Sequence, residues 1–350
     1  MDALSLFSGC GGLDLGMEQA GFNVRLAVEQ DHDACDSLAA NFADLVVVED
    51  DIWDLIASED GVDLLLEKGG FADRPDLLVG GPPCKAFSKS GNWLEWKRMG
   101  LDPQATLLQS YTHVLRKARP KRFILENVYG LTYRNRAAGP AFERLQKEIV
   151  DAGYDYQYEV LLAACYGSPQ KRPRLFVVGA EKGQPLPQLP EPTHGGLWER
   201  RKIGPLDNPF VTSGQALKGI KAPAELEEIH GGMYSGFLDE IPPGENYLHY
   251  TEKRGHPDPR FEWRSRYWNF LLKLSPNEAA PTIQAEPGPN VGPFHWENRR
   301  LRAAEAQALF GYPKDFELCG KRRSVQRQLG NSVPPQLARA VAEEVAKSLG

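Results

Sequence analysis

Short apolar runs alternate with mixed apolar and polar stretches through the first half of the chain. Ala3 to Phe7, Val24 to Val28, Leu45 to Val48, Asp76 to Val79 and Arg122 to Leu125 each read as a buried strand. Between them, Leu13, Leu15, Met17 and Ala20 sit among polar residues as in a helix, as do Ala34, Leu38 and Ala39. Pro103 to Lys117 and Ala141 to Ala152 read the same way. Tyr154 to Leu162 alternates like a half-buried strand, and Leu175 to Val178 returns as another. Strands alternating with helices predict an α/β fold with an open, doubly wound sheet. The pattern breaks at Glu181. From there to about Glu286 the chain is rich in Pro and Gly, with few periodic runs. Helical patterning resumes at Glu297 to Phe310 and at Pro335 to Leu349. The expected organisation is one large domain over residues 1–180 and 287–350, interrupted by a smaller irregular domain over 181–286.

In an open α/β sheet, ligands bind where the strands end. The first strand runs into Ser8-Gly9-Cys10-Gly11-Gly12. Such a turn lets the backbone approach a ligand closely, although a tight turn alone would also need glycine. The second strand ends on Glu29, the place for an acid that grips ribose hydroxyls, with Asp31 or Asp33 placed to cap the next helix. The third ends on Glu49-Asp50-Asp51-Ile52, where Asp51 is either a cofactor contact or a solvated turn acid. The fourth runs into Gly80-Gly81-Pro82-Pro83-Cys84. Cys84 is a candidate nucleophile; an isolated Cys is also commonly a small buried hydrophobe. The fifth closes on Glu126-Asn127-Val128, so Cys84 and Glu126 are expected to converge on one crevice. Beyond it, Tyr166 to Arg174 reads as a polar loop. There, Arg172 and Arg174 sit on alternate positions and so share a face. A Gly, Ser and Trp stretch from Ser90 to Asp102, with Trp93 and Trp96, suits a cover over a base or a lid packed on the body.

Composition narrows this picture. Of 350 residues, 41% are hydrophobic and 25% charged, as in an ordinary globular protein. The five Cys show no CxxC spacing, which argues against a disulfide framework or a cysteine-based zinc site and fits a reducing, cytoplasmic compartment. A strand begins within a few residues of Met1, so no leader is expected, and no apolar run approaches the roughly 20 residues that span a bilayer. A net charge of -6 argues against a generally basic surface but not against a local basic cleft. Two such clusters exist. Lys253 to Lys273 holds six Lys or Arg against two acids, and Trp263, Tyr267 and Trp268 interleave with Arg264 and Arg266. That mixture suits a nucleic acid, or a solvated face with aromatics turned inward. Lys321, Arg322, Arg323 and Arg327 form the second cluster, before Gln328-Leu329-Gly330-Asn331-Ser332-Val333-Pro334, where Asn331 is expected in a glycine-preceded turn.

Taken in order, these segments resemble the DNA cytosine-5 methyltransferases over nearly the whole chain. The signatures are Phe7 to Gly12, Glu29, Asp51, Gly81-Pro82-Pro83-Cys84 with Phe87-Ser88, Glu126-Asn127-Val128, Gln170 with Arg172 and Arg174, and Gln328 to Pro334. The region between the last two is the family's variable target-recognition region. Three positions depart from the family pattern: Lys85 where Gln is usual, Arg302 where Thr is common, and Asp50 where Gly is common.

The resemblance implies a Rossmann-like S-adenosylmethionine-dependent methyltransferase domain with a smaller target-recognition domain. It implies Cys84, Glu126, Arg172 and Arg174 as catalytic residues. Phe7, Gly9, Cys10, Gly11, Gly12, Glu29, Asp51, Ile52, Gly81, Asn331 and Ser332 would bind S-adenosyl-L-methionine, leaving S-adenosyl-L-homocysteine as product. Lys85, Ser88, Gln170, Arg264, Arg266, Arg322 and Arg323 would contact double-stranded DNA. The implied enzyme is a monomer that needs no metal and no membrane. It would serve beside a cognate restriction endonuclease without forming a stable complex with it. Within the family, RNA methylation and a catalytically silent DNA-binding role are the alternatives. Small-molecule methyl transfer leaves the Cys-Glu-Arg set unexplained, and amino-group DNA methylation needs no cysteine.

Overall fold

In a computed structural model of the chain, residues 1–83, 107–133, 138–221, 233–264 and 267–350 are described. Cys84, Lys85, Phe87, Ser88, Trp93, Trp96 and Arg266 lie outside them, as do residues 103–106 at the start of the helix expected from Pro103.

The apolar runs become strands β1 (Asp2–Leu6), β2 (Asn23–Glu29), β3 (Val46–Glu49), β4 (Leu77–Gly80) and β5 (Arg122–Val128). Helix α1 (Gly12–Gln19) follows β1, α2 (His32–Asn41) follows β2, and α3 (Ile52–Leu55) and α4 (Gly61–Lys68) lie between β3 and β4. Helix α5 (Leu107–Ala118) precedes β5 and α6 (Ala138–Asp151) precedes β6 (Tyr154–Leu162). The two-residue β7 (Gln170–Lys171) and the long β8 (Pro173–Glu181) come next.

One seven-stranded sheet has the order β3-β2-β1-β4-β5-β8-β6. Pairings from β3 to β5 are parallel, and β8 runs antiparallel between β5 and β6. The chain therefore starts in the middle, winds out to β3 and returns to β4. The carboxyl ends of β1 and β4 flank the topological switch, where such sheets open a ligand crevice. Fully buried Tyr111 on α5 ties the centre together: its hydroxyl donates to the carbonyls of Leu78 on β4 and Ile124 on β5, at 3.2 and 2.9 Å.

Beyond β8 the chain loses long elements, as its composition predicts. It holds the hairpin β9 (Gly196–Trp198) and β10 (Arg201–Ile203), the short α7 (Ser213–Leu217), and β11 (Ala280–Pro281). Leu238, Ile241, Tyr247, Leu248, Tyr250 and Leu271 form a separate apolar cluster with Phe294. Other residues of the same stretch pack into the main body, among them Phe210, Ala279 and Ile283. Helices α8 (Ala303–Phe310), α9 (Arg322–Asn331) and α10 (Pro335–Lys347) return the chain to the large domain, and α10 lies along α1. A Cβ at Gly16 of α1 would overlap Ala338 of α10, so glycine sets that close approach.

Three expectations are corrected. The helix expected from Glu297 starts only at Ala303, because Arg299 and Arg300 are committed to bonds outside a helix: Arg299 to Glu297 and Glu305, Arg300 to the carbonyls of Gly288, Pro289 and Val291. The polar segment from Tyr166 to Arg174 is largely interior: Ser168, Gln170, Arg172 and Arg174 are all buried. Asn331 ends helix α9 rather than sitting in a turn, and Gly330 before it permits contact with the backbone of Ala285.

Candidate active site

Glu126 and Arg174 meet at the edge of the crevice. They stand near the ends of the antiparallel neighbours β5 and β8, and Arg174 Nε lies 2.9 Å from Glu126 Oε1. Both are buried. Burial pushes the Glu126 carboxyl upward, against the pull of the Arg174 and Arg172 charges. Burial likewise lowers Arg174, against the pull of Glu126. Burial and the two guanidinium charges therefore act on this carboxyl in opposite directions.

The proline loop lies against this pair. A Cβ on Gly81 would come within 2.9 Å of Glu126 Oε2, so a larger residue there would press on the carboxylate. Asn127 donates from Nδ2 to the Pro82 carbonyl at 3.1 Å and fastens the loop to the end of β5. The chain enters Cys84 directly after Pro83. The role of Asn127 was not read from the sequence, although its place beside Glu126 in Glu-Asn-Val was the available signal.

Arg172 takes different hydrogen-bond partners from Arg174, although its charge acts on Glu126 as well. Wholly buried, it donates to the carbonyls of Ile283 and Gly330 and lies over the Phe310 ring, its guanidinium carbon 5.0 Å from the centroid. This is a clamp on the segment after β11 and on the end of α9. Gln170 is also inward. Its amide oxygen accepts from Ile283 N at 3.3 Å and its amide nitrogen donates to the Leu309 carbonyl at 3.4 Å. The expectation that Gln170 touches DNA is therefore corrected: the side chain is fully buried and used in joining β7 to the chain's later elements. Period two places Arg172 and Arg174 on one face of a continuous strand, but Arg172 lies in the break between β7 and β8.

On the other side of the switch, Phe7, Gly9 and Gly11 have positive φ of 56°, 57° and 87°. Gly9 has open space where a side chain would project. Glu29 Oε2 accepts from Gly9 N at 2.8 Å, and its Oε1 accepts from Gln30 N and Asp31 N, both at 2.9 Å. Burial raises the Glu29 carboxyl, and these donors oppose the rise. A glycine cradle with a carboxylate at its rim fits a nucleoside whose ribose hydroxyls need acceptors, as in S-adenosylmethionine. Asp51 caps α3 through a 2.8 Å bond from Trp53 N, with Ile52 buried behind it.

Cys10 points away from the cradle. It is buried, its Sγ lies 3.3 Å from Tyr312 Oη, and burial pushes its thiol up to about 11. Tyr312 also bonds Ser332, and a Cβ at Gly12 would overlap both. Beneath them Asp14, in the first turn of α1, is fully buried, and neither oxygen has a hydrogen-bond partner among the described residues. Burial raises its carboxyl to about 7. Nothing in the local sequence marked Asp14 as interior.

The basic and aromatic residues of the irregular region face outward. Trp263, Tyr267 and Trp268 are about half exposed, Lys253 Nζ lies 4.1 Å from the Trp263 ring centre, and Arg264 is exposed. The alternative of aromatics turned inward does not hold for these three. Arg322 and Arg323 begin α9; Arg322 is partly buried and Arg323 is exposed. Among the described residues no group of His, Cys, Asp and Glu is arranged to hold a metal, and no helix is long and apolar enough to cross a membrane.

Residues 1–347 match the family model for C-5 cytosine-specific DNA methylases. The chain belongs to that family. It is 43% identical over its whole length to the type II methyltransferase M.SacI of Streptomyces achromogenes, covering 94% of that protein. It is 32% identical to the type II methyltransferase M.NgoFVII of Neisseria gonorrhoeae, with 99% of this chain and 85% of that protein covered. Among solved structures, an E. coli prophage-encoded protein described as a DNA modification methyltransferase superposes with a TM-score of 0.67 at 22% identity, covering 100% of this chain and 99% of that one. The S. pombe Dnmt2 methyltransferase does so with 0.60 at 16% identity, over 100% and 99% of the two chains. At these identities the two structures speak for the fold alone. Family membership supports methyl transfer from S-adenosylmethionine to cytosine in DNA, and with it double-stranded DNA as partner.

Proposed function

We propose that the chain is a sequence-specific DNA cytosine-5 methyltransferase working through a covalent Cys84 adduct, the modification half of a restriction-modification or related defence system. The buried Glu126–Arg174 pair carries this reading, set against the glycine–proline loop that leads into Cys84. C5 of an intact cytosine ring is a poor nucleophile. Addition of the Cys84 thiolate to C6 makes the Sγ–C6 bond and moves the ring's electrons toward C5. Glu126, whose carboxyl is raised by burial, holds or supplies the proton at N3 as charge gathers there. Arg174 keeps Glu126 in place and faces the base oxygen. Arg172 fixes the segment from which Arg174 projects. S-adenosylmethionine, held by the Phe7–Gly12 cradle, Glu29 and Asp51, supplies an electrophilic methyl group for C5. The C5 proton then leaves to solvent, the Sγ–C6 bond breaks, and the thiolate is restored.

The base reaches these groups only by leaving the duplex. Residues 181–286 would form the target-recognition domain, with Arg264, Arg266 and the outward tryptophans on the DNA side. The type II naming of M.SacI and M.NgoFVII supports the defence-system assignment. The test is methyl transfer from labelled S-adenosylmethionine to duplex DNA and to tRNA in parallel. 5-Methylcytosine in one short DNA motif is expected, with Cys84→Ala inactive yet folded. Undiminished methylation by that variant would sink the mechanism, and methylation of tRNA alone would sink the substrate.

A further inference from the structure

Asp14 has no task in the reaction proposed above, yet it lies in the first turn of α1, two residues past Gly12, and is fully buried. Neither carboxyl oxygen has a hydrogen-bond partner among the described residues. The Ser5 hydroxyl of β1 eases its charge but is itself bonded to Ser8 Oγ at 2.8 Å. A buried carboxylate left this way is costly to keep ionised. The charges about it offer no relief. Glu18 on α1 and Glu29 at the end of β2 repel it. Its own field reaches Cys10 and Tyr312 behind the cradle. On α10, which packs along α1, Arg339 is exposed and paired with Glu343 at 2.7 Å.

The glycine turn therefore runs between two acids. Glu29 accepts from Gly9 N at 2.8 Å at its start, and Asp14 follows Gly12 at its end. Glu29 is near enough to repel Asp14, so a cation seated in the cradle would be felt there as well. Inside a protein a charge acts over such a span without contact. S-adenosylmethionine carries a positive sulfonium, whereas the sulfur of S-adenosylhomocysteine is neutral. The two share their ribose, adenine and amino-acid groups.

We propose that Asp14 selects the charged methyl donor over its neutral product: it ionises, giving its proton to solvent, when the sulfonium cation occupies the cradle, and takes a proton back when the product replaces it. Asp14 acts here through space, as a selectivity residue rather than a catalytic one. The inference rests on the cradle being the S-adenosylmethionine site. Burial raises the free carboxyl to about 7, where a neighbouring positive charge tips it. A cation favours the ionised form, so donor binding releases a proton below pH 7 and none well above it. Glu29 would meet the ribose of either ligand, so its own titration cancels in the ratio of the two affinities.

Calorimetric titration with S-adenosylmethionine and with S-adenosylhomocysteine, from about pH 5 to about pH 8, reads that ratio. For the wild type, the preference for the donor should climb by up to roughly tenfold per pH unit and flatten above about 7. Below that pH, buffers of different ionisation enthalpy should count up to about one more proton released with the donor than with the product. In Asp14→Asn the preference should not vary with pH, and at about pH 8 it should be lower than in the wild type by roughly tenfold. A wild-type preference independent of pH, or one left unchanged by Asp14→Asn, would overturn the proposal. Failure of the wild type to bind either ligand would overturn the reading of the cradle instead.

Discussion

Two buried carboxyl groups lie at the carboxyl edge of the same sheet, and the protein treats them differently. Glu126 faces a guanidinium at 2.9 Å and a loop cleared for it by Gly81. Asp14, under the glycine cradle, is just as buried and has no hydrogen-bond partner among the described residues. Burial raises both. Around Glu126 an opposite charge keeps the ionised form within reach. Around Asp14 no opposite charge does so: the Ser5 hydroxyl and its own backbone amide oppose the rise, and Coulombic repulsion from Glu18 and Glu29 adds to it. The lesson is that burial alone does not set two carboxyl groups apart: what distinguishes Glu126 is a buried guanidinium partner at its side.

Substitutions can break this contrast. The largest effect is expected from Glu126→Gln, which keeps the shape but removes the exchangeable proton. Single-turnover methylation should fall by roughly 10²- to 10⁴-fold while the melting transition stays cooperative. Arg174→Ala leaves Glu126 buried without its charge, and denaturant unfolding should show a loss of about 3–5 kcal/mol together with loss of turnover. Asp14→Asn should act in the opposite direction. The folded carboxyl titrates at about 7, above its ordinary 3.8, so protonated Asp14 suits the fold and ionised Asp14 opposes it. Stability that is fully present below the unfolded pKa is therefore lost as pH rises through 7. The variant's gain over wild type should be near zero at the acid end, grow through that window and level off above it, at roughly 2–4 kcal/mol. Equal stability of the two proteins at pH 8 would show that Asp14 is compensated. The smallest effect belongs to Asn127→Ala, about 1 kcal/mol in unfolding, with a larger proportional loss in turnover because the proline loop is released from β5.

The part of this contrast that was legible in sequence is the Glu126 side. A strand of apolar residues that ends on an acid announces itself locally, and so do glycines that take positive φ after β1. The partner Arg174 was named through the family resemblance, while its segment read as a polar loop; in the fold it stands at the start of β8. What escaped depends on residues far apart along the chain. Gln170 and Arg172 look like exposed polar groups until β7 pairs with β11, which buries them against Ile283 and Gly330. Asp14 shares its helix with polar neighbours, and its burial comes from tertiary packing that the local sequence does not show. The stretch 297–302 has helical residues but spends its arginines on carbonyls and carboxylates elsewhere.

The alliance of α1 with α10 has a consequence in time as well as in space. Gly12 rests on Ser332 and Val333, Gly16 rests on Ala338, and Arg122 at the start of β5 donates to Ser348. A ribosome adding about 5–20 residues per second releases the glycine cradle long before it releases the segment that backs it. Until that segment emerges, one face of α1 stays bare and the nascent chain holds half a binding site. Competence for the methyl donor should therefore switch on late and abruptly during synthesis, so that truncated products remain silent toward the genome.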